Sequence, residues 1–210
     1  MSTTLAVQRL DDAHVGEIVD VLCSAFVQYP VMQYVLGDAA MEGGGARLQR
    51  LIDLFVRTRV LRREPMLGVR DGSQLAAVAI LSNPHVTVTP AALASLRATV
   101  WEELGDAARS RYATYSDACR AFDVDVAHIH LNMIGVRQPL EGRGFGRRLM
   151  EAVDRLARDD ADCHGISLTT ENPANLSFYE HLGYRNVGHV VVAPELESWG
   201  FFRSIRPVAS

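Results

Sequence analysis

The chain has 210 residues, 48% of them hydrophobic and 22% charged, with a formal net charge of −4. This length suits one domain with a well-filled core, so we expect a single domain over residues 1–210. The negative charge and the scattered arginines argue against a nucleic-acid partner. Neither a bilayer-spanning apolar run nor a signal-peptide pattern is evident, and we predict a cytoplasmic protein without a membrane partner.

Cysteine and lysine usage narrows the chemistry further. Cys23, Cys119 and Cys163 are far apart and odd in number, which argues against a disulfide framework or a zinc site, and we predict no metal. All 21 basic residues are arginine. The absence of lysine excludes a Walker-A lysine, the phosphate-binding lysine of protein kinases and a pyridoxal-phosphate Schiff base.

The first half of the chain predicts a short strand, helices and a β-hairpin. Strands are expected at residues 5–10, 66–70 and 74–81, and helices at 15–26, 31–36 and 47–61. Asp11 or Asp12 would cap the first helix, and Pro30 would end it. Asp71-Gly72 predicts the hairpin turn, and Gly43 to Gly45 a flexible connection.

The second half predicts alternating strands and helices. Strands are expected at residues 127–136, 165–170, 184–192 and 201–206, and helices at 90–119, 144–158 and 173–182. Thr89 would cap the first of these helices, which Gly105 divides in two, while Gly183 would end the last. The order indicates a mixed α and β protein with a βαβ unit.

A glycine-rich turn containing Gly142, Gly144 and Gly146 joins a predicted strand to a helix. Backbone N–H groups in such a turn can bind a phosphate at the helix N-terminus, where the dipole favours negative charge. The spacing differs from the Gly-x-Gly-x-x-Gly of dinucleotide-binding folds. A purely structural turn is the alternative. Three arginines in the first helical turn are more favourable if an anion binds there.

Two motifs together resemble the Gcn5-related N-acetyltransferase (GNAT) superfamily. Val136 followed by residues 141–146 is similar to its acetyl-CoA motif, and residues 172–184 are similar to its second cofactor motif. Their order and separation agree with that superfamily over about residues 129–190. Residues 25–36 and 128–136 are more similar to its puromycin-acetyltransferase-like branch.

The resemblance implies an α/β fold of the GNAT type. Its central mixed, mostly antiparallel sheet would contain two splayed parallel strands and carry helices on both faces. A helical insertion is expected at about residues 82–126. Aromatic residues in this insertion would either shape an acceptor pocket or simply pack, namely Trp101, Tyr112, Tyr115 and Phe122.

The resemblance also implies how acetyl-CoA binds as a co-substrate. The pantetheine arm would lie between the splayed strands, the pyrophosphate would lie on the glycine turn, and Asn172 and Tyr179 would face the thioester. The residues expected to bind acetyl-CoA are Ile134, Gly135, Val136, Glu141, Gly142, Arg143, Gly144, Phe145, Gly146, Arg147, Asn172, Asn175 and Tyr179. Because Glu141 replaces the usual glutamine or arginine, we expect weaker rather than abolished binding.

Catalytic roles follow from the same resemblance. Tyr179 is the expected general acid, because a phenol with a pKa of about 10 is protonated at neutral pH. The strand before Glu171 lacks the glutamate base of many relatives, so Glu171, His130 or a water chain would accept the proton. His130 has a reference pKa of about 6.5 and shares a strand face with His128 and Asn132. A histidine packed in the core, and an acid that only complements a helix dipole, are the alternatives.

The sequence therefore predicts an acetyl-CoA-dependent N-acetyltransferase that acts on a small-molecule amine by direct attack. A non-catalytic acyl-CoA-binding module is an alternative, supported by the missing strand glutamate. An O-acetyltransferase is a second alternative. Because dimers are common in that superfamily, the resemblance also allows a homodimer.

Overall fold

The computed structural model describes residues 6–37, 45–86 and 89–206. Within these ranges the chain forms seven strands and seven α-helices. The strands are β1 (Val7–Arg9), β2 (Met66–Asp71), β3 (Gln74–Ser82), β4 (His128–Val136), β5 (Gly165–Thr170), β6 (Arg185–Ala193) and β7 (Leu196–Ser204). The helices are α1 (Val15–Phe26), α2 (Pro30–Leu36), α3 (Ala46–Arg62), α4 (Ala91–Leu104), α5 (Asp106–Cys119), α6 (Phe145–Asp159) and α7 (Leu176–His181).

The strands form one mixed sheet in the order β1-β2-β3-β4-β5-β7-β6. Among the described pairs of adjacent strands, only β4 and β5 run parallel. Their pairing extends from His128 opposite Gly165 to Leu131 opposite Leu168. Beyond this point β4 continues to Val136 without a β5 partner. The two parallel strands therefore separate, as predicted, and leave a gap at the centre of the sheet.

A β-bulge reverses the alternation of side chains in the middle of β4. Met133 pairs with Ile80 and Leu131 with Leu81, which leaves Asn132 as the extra residue. Ile129 and Leu131 therefore pack in one core, whereas Met133 packs in the core on the opposite face of the sheet. Side chains alternate between the two faces of a sheet, so one extra residue moves the following side chains to the opposite face. Such bulges often redirect side chains next to active sites.

Helices cover both faces of the sheet. α1 to α5 supply one apolar core, whereas α6 and α7 pack over the other face. β3 is buried on both sides from Leu75 to Leu81, which explains why its sequence reads as a continuous apolar run. Gly135 allows α1 to approach β4 closely, because a Cβ there would lie 2.8 Å from the Cβ of Ala25. α4 and α5 occupy the position of the predicted insertion.

Three sequence predictions differ from the structure at element ends. Thr89 is not the cap of α4; Pro90 is, because its ψ of 144° keeps it extended before the first helical residue. Pro30 does not only end α1 but begins α2, in the first helical position that proline favours. β7 begins at Leu196 rather than at residue 201. The predicted connection at Gly43 and Gly44 lies outside the described residues.

The described part of the chain contains no single helix with the length and apolar character needed to cross a membrane. A bent pair, Asp12–Phe26 with Pro30–Leu36 at 98°, meets the length and composition requirement only in combination. The three cysteines are free thiols.

Candidate active site

A groove of about 510 Å³ runs along the separated end of β4 and past the glycine turn. The predicted acetyl-CoA residues line this groove, apart from Arg143 and Phe145. Because β4 pairs with β5 only as far as Leu131, this edge of Ile134 and Val136 has no strand partner in the described chain. Their backbone groups are therefore available to an extended ligand.

The glycine turn is shaped to receive an anion at the N-terminus of α6. Gly142 and Gly144 have φ angles of 74° and 83°, in the left-handed region that glycine favours. A Cβ at either position would meet no heavy atom within 4 Å, so the space beside the turn is open. No described side chain caps α6, which leaves its first N–H groups for a ligand. These features fit the pyrophosphate of CoA.

The side chains of Arg143 and Phe145 have partners outside the groove. The guanidinium of Arg143 lies 2.6 Å from a carboxylate oxygen of Asp71 and 5.3 Å from the Phe145 ring centroid. Phe145 itself is buried in the core. Neither side chain is among those that line the groove, and the role of these two residues as cofactor ligands stays a prediction. Glu141 and Arg147, in contrast, line the groove and are exposed.

A cavity of about 210 Å³ adjoins the groove. The side chains that line both spaces are Phe26, Tyr29, Ile134, Asn175 and Tyr179. Aromatic residues of α3 and α5 form much of the remaining wall, with Phe55 5.8 Å from Tyr112 between ring centroids. The groove and the cavity therefore meet at the end of β4, where a reacting group could pass between them.

Tyr179 lies at this junction. Its ring packs against Phe178, Tyr184 and Phe201, with centroids 5.4, 6.0 and 5.7 Å away. Its hydroxyl forms no hydrogen bond with a described residue, although the side chain lines both spaces. Burial raises the pKa of this phenol well above its usual value, so it keeps its proton at neutral pH. The hydroxyl is thus a free donor at the junction.

Glu171 is a buried acid in the cavity wall. The hydroxyl groups of Tyr115 and Ser198 donate to its Oε1 atom at 2.9 and 2.8 Å. Its Oε2 atom accepts no hydrogen bond from a described residue. Burial raises the pKa of the carboxyl to about 7, against the opposing effect of the two hydroxyl donors. This acid does not act as a helix cap, because the side chain of Asn172 takes that position.

A hydrogen-bond network connects the wall near Glu171 to Tyr29, the residue that precedes α2. The hydroxyl of Tyr29 lies 2.9 Å from the Thr170 Oγ1 atom and accepts the backbone N–H of Glu171 at 3.2 Å. The side-chain amide of Asn175 donates to the same Thr170 oxygen at 3.3 Å. Burial raises the pKa of Tyr29 to about 12. This network holds Glu171 and Asn175 at the junction.

His130 also lines the cavity, but its protonation differs from the sequence expectation. Its Nδ1 atom lies 2.8 Å from the Ser167 hydroxyl. Burial, with smaller contributions from His128 and Arg59, lowers its pKa to about 4. The imidazole is therefore neutral at pH 7 and binds a proton weakly. Glu171, whose pKa lies near neutrality, is better matched to accept a proton from an amine.

The aromatic residues predicted in the insertion divide between the two expected roles. Tyr112 and Tyr115 line the cavity. Trp101 packs on the Tyr112 ring at 5.0 Å, and Phe122 is buried against the β6–β7 hairpin. Sequence reasoning did not identify Tyr29, Ser198 or Arg59 as site residues. Tyr29 lies in residues 25–36, a segment whose similarity to a GNAT branch was noted. No sequence pattern indicated a role for Ser198 or Arg59.

The family model described as "Acetyltransferase (GNAT) family" matches residues 112–184 of the chain. These residues include α6, β5 and α7, and therefore the glycine turn, Glu171 and Tyr179. N-alpha-acetyltransferase 80 of Mus musculus is 50% identical over 50 residues. That match covers 24% of this chain and 15% of the mouse protein.

Solved structures resemble nearly the whole chain. An acetyltransferase related to histone acetyltransferase HPA2, from Corynebacterium glutamicum, gives a TM-score of 0.69 at 18% identity, covering 98% of this chain and 99% of its own. The polyamine N-acetyltransferase of Drosophila melanogaster gives a TM-score of 0.61 at 16% identity, covering 96% of this chain and 100% of its own. The yncA protein of Salmonella typhimurium was solved with its cofactor acetyl-CoA. It gives a TM-score of 0.56 at 14% identity, covering 99% of this chain and 98% of its own.

At these identities the structural likeness establishes the fold. It confirms the predicted mixed sheet with helices on both faces. The family match adds the sequence pattern of the glycine turn and of the segment that follows it. The puromycin-acetyltransferase-like branch stays a prediction. Over residues 112–184 the chain is thus similar to the GNAT family of acetyltransferases, and its fold is the one that these solved structures share.

Proposed function

We propose that the protein is an acetyl-CoA-dependent N-acetyltransferase that acts on a small primary amine. One observation carries this proposal. The groove suited to CoA and the adjoining cavity meet at Tyr179, and a buried carboxyl with a pKa of about 7 lies in the cavity wall. A thioester at the end of the groove would therefore face an amine bound beside Glu171.

The proposed chemistry uses residues of this chain for two proton transfers. Glu171 accepts a proton through Oε2 from the acceptor ammonium, which gives a neutral amine. The amine nitrogen attacks the thioester carbonyl, so that an N–C bond forms and the C–S bond breaks. Tyr179 donates its proton to the leaving thiolate. The nitrogen loses its second proton as the amide forms, and this proton restores the Tyr179 hydroxyl through water.

The size and lining of the cavity support a small acceptor. Its volume of about 210 Å³ is below the roughly 300–1,000 Å³ of drug-sized sites. The Drosophila melanogaster neighbour is a polyamine N-acetyltransferase, which agrees with an amine acceptor, and yncA binds acetyl-CoA. The aromatic wall favours an acceptor with an apolar body.

The test is turnover of acetyl-CoA with a set of acceptors. Purified full-length protein is mixed with acetyl-CoA and benzylamine, agmatine, spermidine or benzyl alcohol. Thiol release gives the rate, and mass spectrometry identifies the acetylated atom. We expect amine-dependent release and an N-acetyl product.

Two other outcomes would contradict the proposal. Tight binding of acetyl-CoA without turnover of any amine would favour a non-catalytic acyl-CoA-binding module. Acetylation of the alcohol in preference to its matched amine would favour an O-acetyltransferase. A thermal shift with acetyl-CoA provides the binding measurement, because a ligand at 100 times its Kd stabilises a fold by about 2.7 kcal/mol.

A further inference from the structure

Arg59 on α3 brings a permanent positive charge to the wall of the acceptor cavity. Its side chain is only 12% exposed. Its Nη1 atom donates to the Asn132 side-chain oxygen at 2.9 Å and to the Ser82 hydroxyl. The buried Nε atom has no partner among the described residues, and Nη2 forms no hydrogen bond with them. Part of the guanidinium is therefore left for a ligand.

The nearest acid does not neutralise this charge completely. Nη1 of Arg59 lies 2.9 Å from Oε2 of Glu64, but this oxygen has no well-aligned donor in the described chain. The other oxygen of Glu64 accepts from Arg62 at 3.2 Å. Two guanidinium groups thus share one carboxylate, which leaves an excess of positive charge. Arg62 does not line the cavity, so the excess faces the acceptor space at Arg59.

The negative charge of the cavity lies at a different place. Glu171 is the one acidic side chain among the described residues of the lining. Its hydrogen-bond partners are Tyr115 and Ser198, and no described arginine is within ion-pair distance of it. The cavity thus has an acid at the groove end and a cation in the wall formed by α3.

The ring of Tyr112 lines the same cavity as the two charged side chains. It is 5.8 Å from Phe55 and 6.4 Å from Tyr115, measured between ring centroids. Its hydroxyl forms no hydrogen bond with a described residue. An acceptor that extends from Glu171 toward Arg59 would therefore cross an aromatic surface and could meet a second donor near the guanidinium.

We infer that the acceptor is amphoteric, with a primary amine that faces Glu171 and a carboxylate that faces Arg59 across an apolar body. This inference rests on the proposed N-acetyltransferase function. A diamine or polyamine would place its second ammonium near Arg59, where repulsion disfavours it. A neutral amine would leave the guanidinium without an anion. The cavity therefore selects amino carboxylates over diamines of the same length.

The test compares three acceptors that share one ring: benzylamine, 4-(aminomethyl)benzoate and 4-(aminomethyl)benzylamine. We expect kcat/KM for the carboxylate to exceed that for either other amine by about ten-fold, as for a charge-assisted hydrogen bond. Arg59→Gln should reduce the carboxylate-to-benzylamine ratio to about one. Arg57→Gln is the matched control, because it removes an arginine of the same helix that pairs with Asp53 and does not line the cavity, and it should preserve the ratio.

The ranking in the wild type tests the inference even if Arg59→Gln fails to fold. Equal rates for the three amines, or preference for the diamine, would overturn the amphoteric acceptor while leaving the acetyltransferase proposal intact. If Arg59→Gln keeps the preference for the carboxylate acceptor, another residue must cause that preference. Failure of all three amines, together with the acceptors tested above, would instead remove the proposed function on which the inference depends.

Discussion

Replacing Glu171 by glutamine removes the one acid among the described residues that line the cavity. Burial raises the pKa of this carboxyl from 4.5 to about 7, so the folded state binds the proton more tightly than the unfolded state. The wild type therefore loses stability as the pH rises from about 4.5 to 7, and the loss levels off above that range. Glutamine keeps the shape and an oxygen for Tyr115 and Ser198, but it cannot ionise.

The size of the effect follows from the two pKa values. Between pH 5 and pH 8 the wild type should lose about 2–3 kcal/mol of unfolding free energy relative to Glu171→Gln. For a chain of this length that corresponds to roughly 5–10 °C in Tm. Other carboxyl groups titrate in both proteins and cancel in the difference. Urea unfolding at several pH values gives the two curves, and thermal unfolding provides a second measure.

An exposed acid on α6 provides the control. Glu151→Gln makes the same chemical change where water solvates the side chain. The unfolding free energy of Glu151→Gln should stay within about 0.5 kcal/mol of the wild-type value at each pH. Parallel curves for Glu171→Gln and the wild type would refute the reasoning. They would mean that the buried carboxyl ionises in the folded protein as easily as in water, and that it is not poised to accept a proton near pH 7.

Three further substitutions test the groove and the junction. Tyr179→Phe should lower kcat roughly 100-fold or more with little change in acetyl-CoA affinity; Tyr184→Phe, a buried neighbour that lines neither space, should leave kcat unchanged. Gly146→Val should weaken acetyl-CoA binding about ten-fold or more by adding bulk to the groove lining, measured by calorimetry. Gly16→Val, at a helical glycine outside the groove, should not affect this binding. Glu141→Gln should tighten acetyl-CoA binding about two- to five-fold, because the substitution removes an exposed negative charge. Salt screens such a charge, so the gain in affinity should shrink at high salt.

The glycine turn could be predicted because its determinants are local in sequence, whereas the separated strands and the cofactor were implied by the family resemblance. The glycine turn, the uncapped start of α6 and the Asn172 cap each depend on residues within a few positions of one another. The β2–β3 hairpin was predictable for the same reason, since Asp71 and Gln74 pair across a two-residue turn. These elements needed only backbone preferences and apolar periodicity.

The cavity beside the groove depends on contacts between distant parts of the chain. Glu171 meets Tyr115 and Ser198, which are 56 and 27 residues away. Its pKa is set by burial that no local pattern indicates. Sequence reasoning therefore identified Glu171 as a possible base but could not separate it from His130. Arg59 joins the site only because α3 packs beside β4 at the Asn132 bulge.

The central claim is that acetyl-CoA bound in the groove presents its sulfur to the acceptor cavity at Tyr179. A crystal structure of the protein with CoA tests this claim most directly. We expect the pantetheine arm along Ile134 to Val136, the pyrophosphate on the glycine turn and the sulfur within hydrogen-bonding reach of the Tyr179 hydroxyl. CoA bound outside the groove, or with its sulfur directed away from the cavity, would contradict the account.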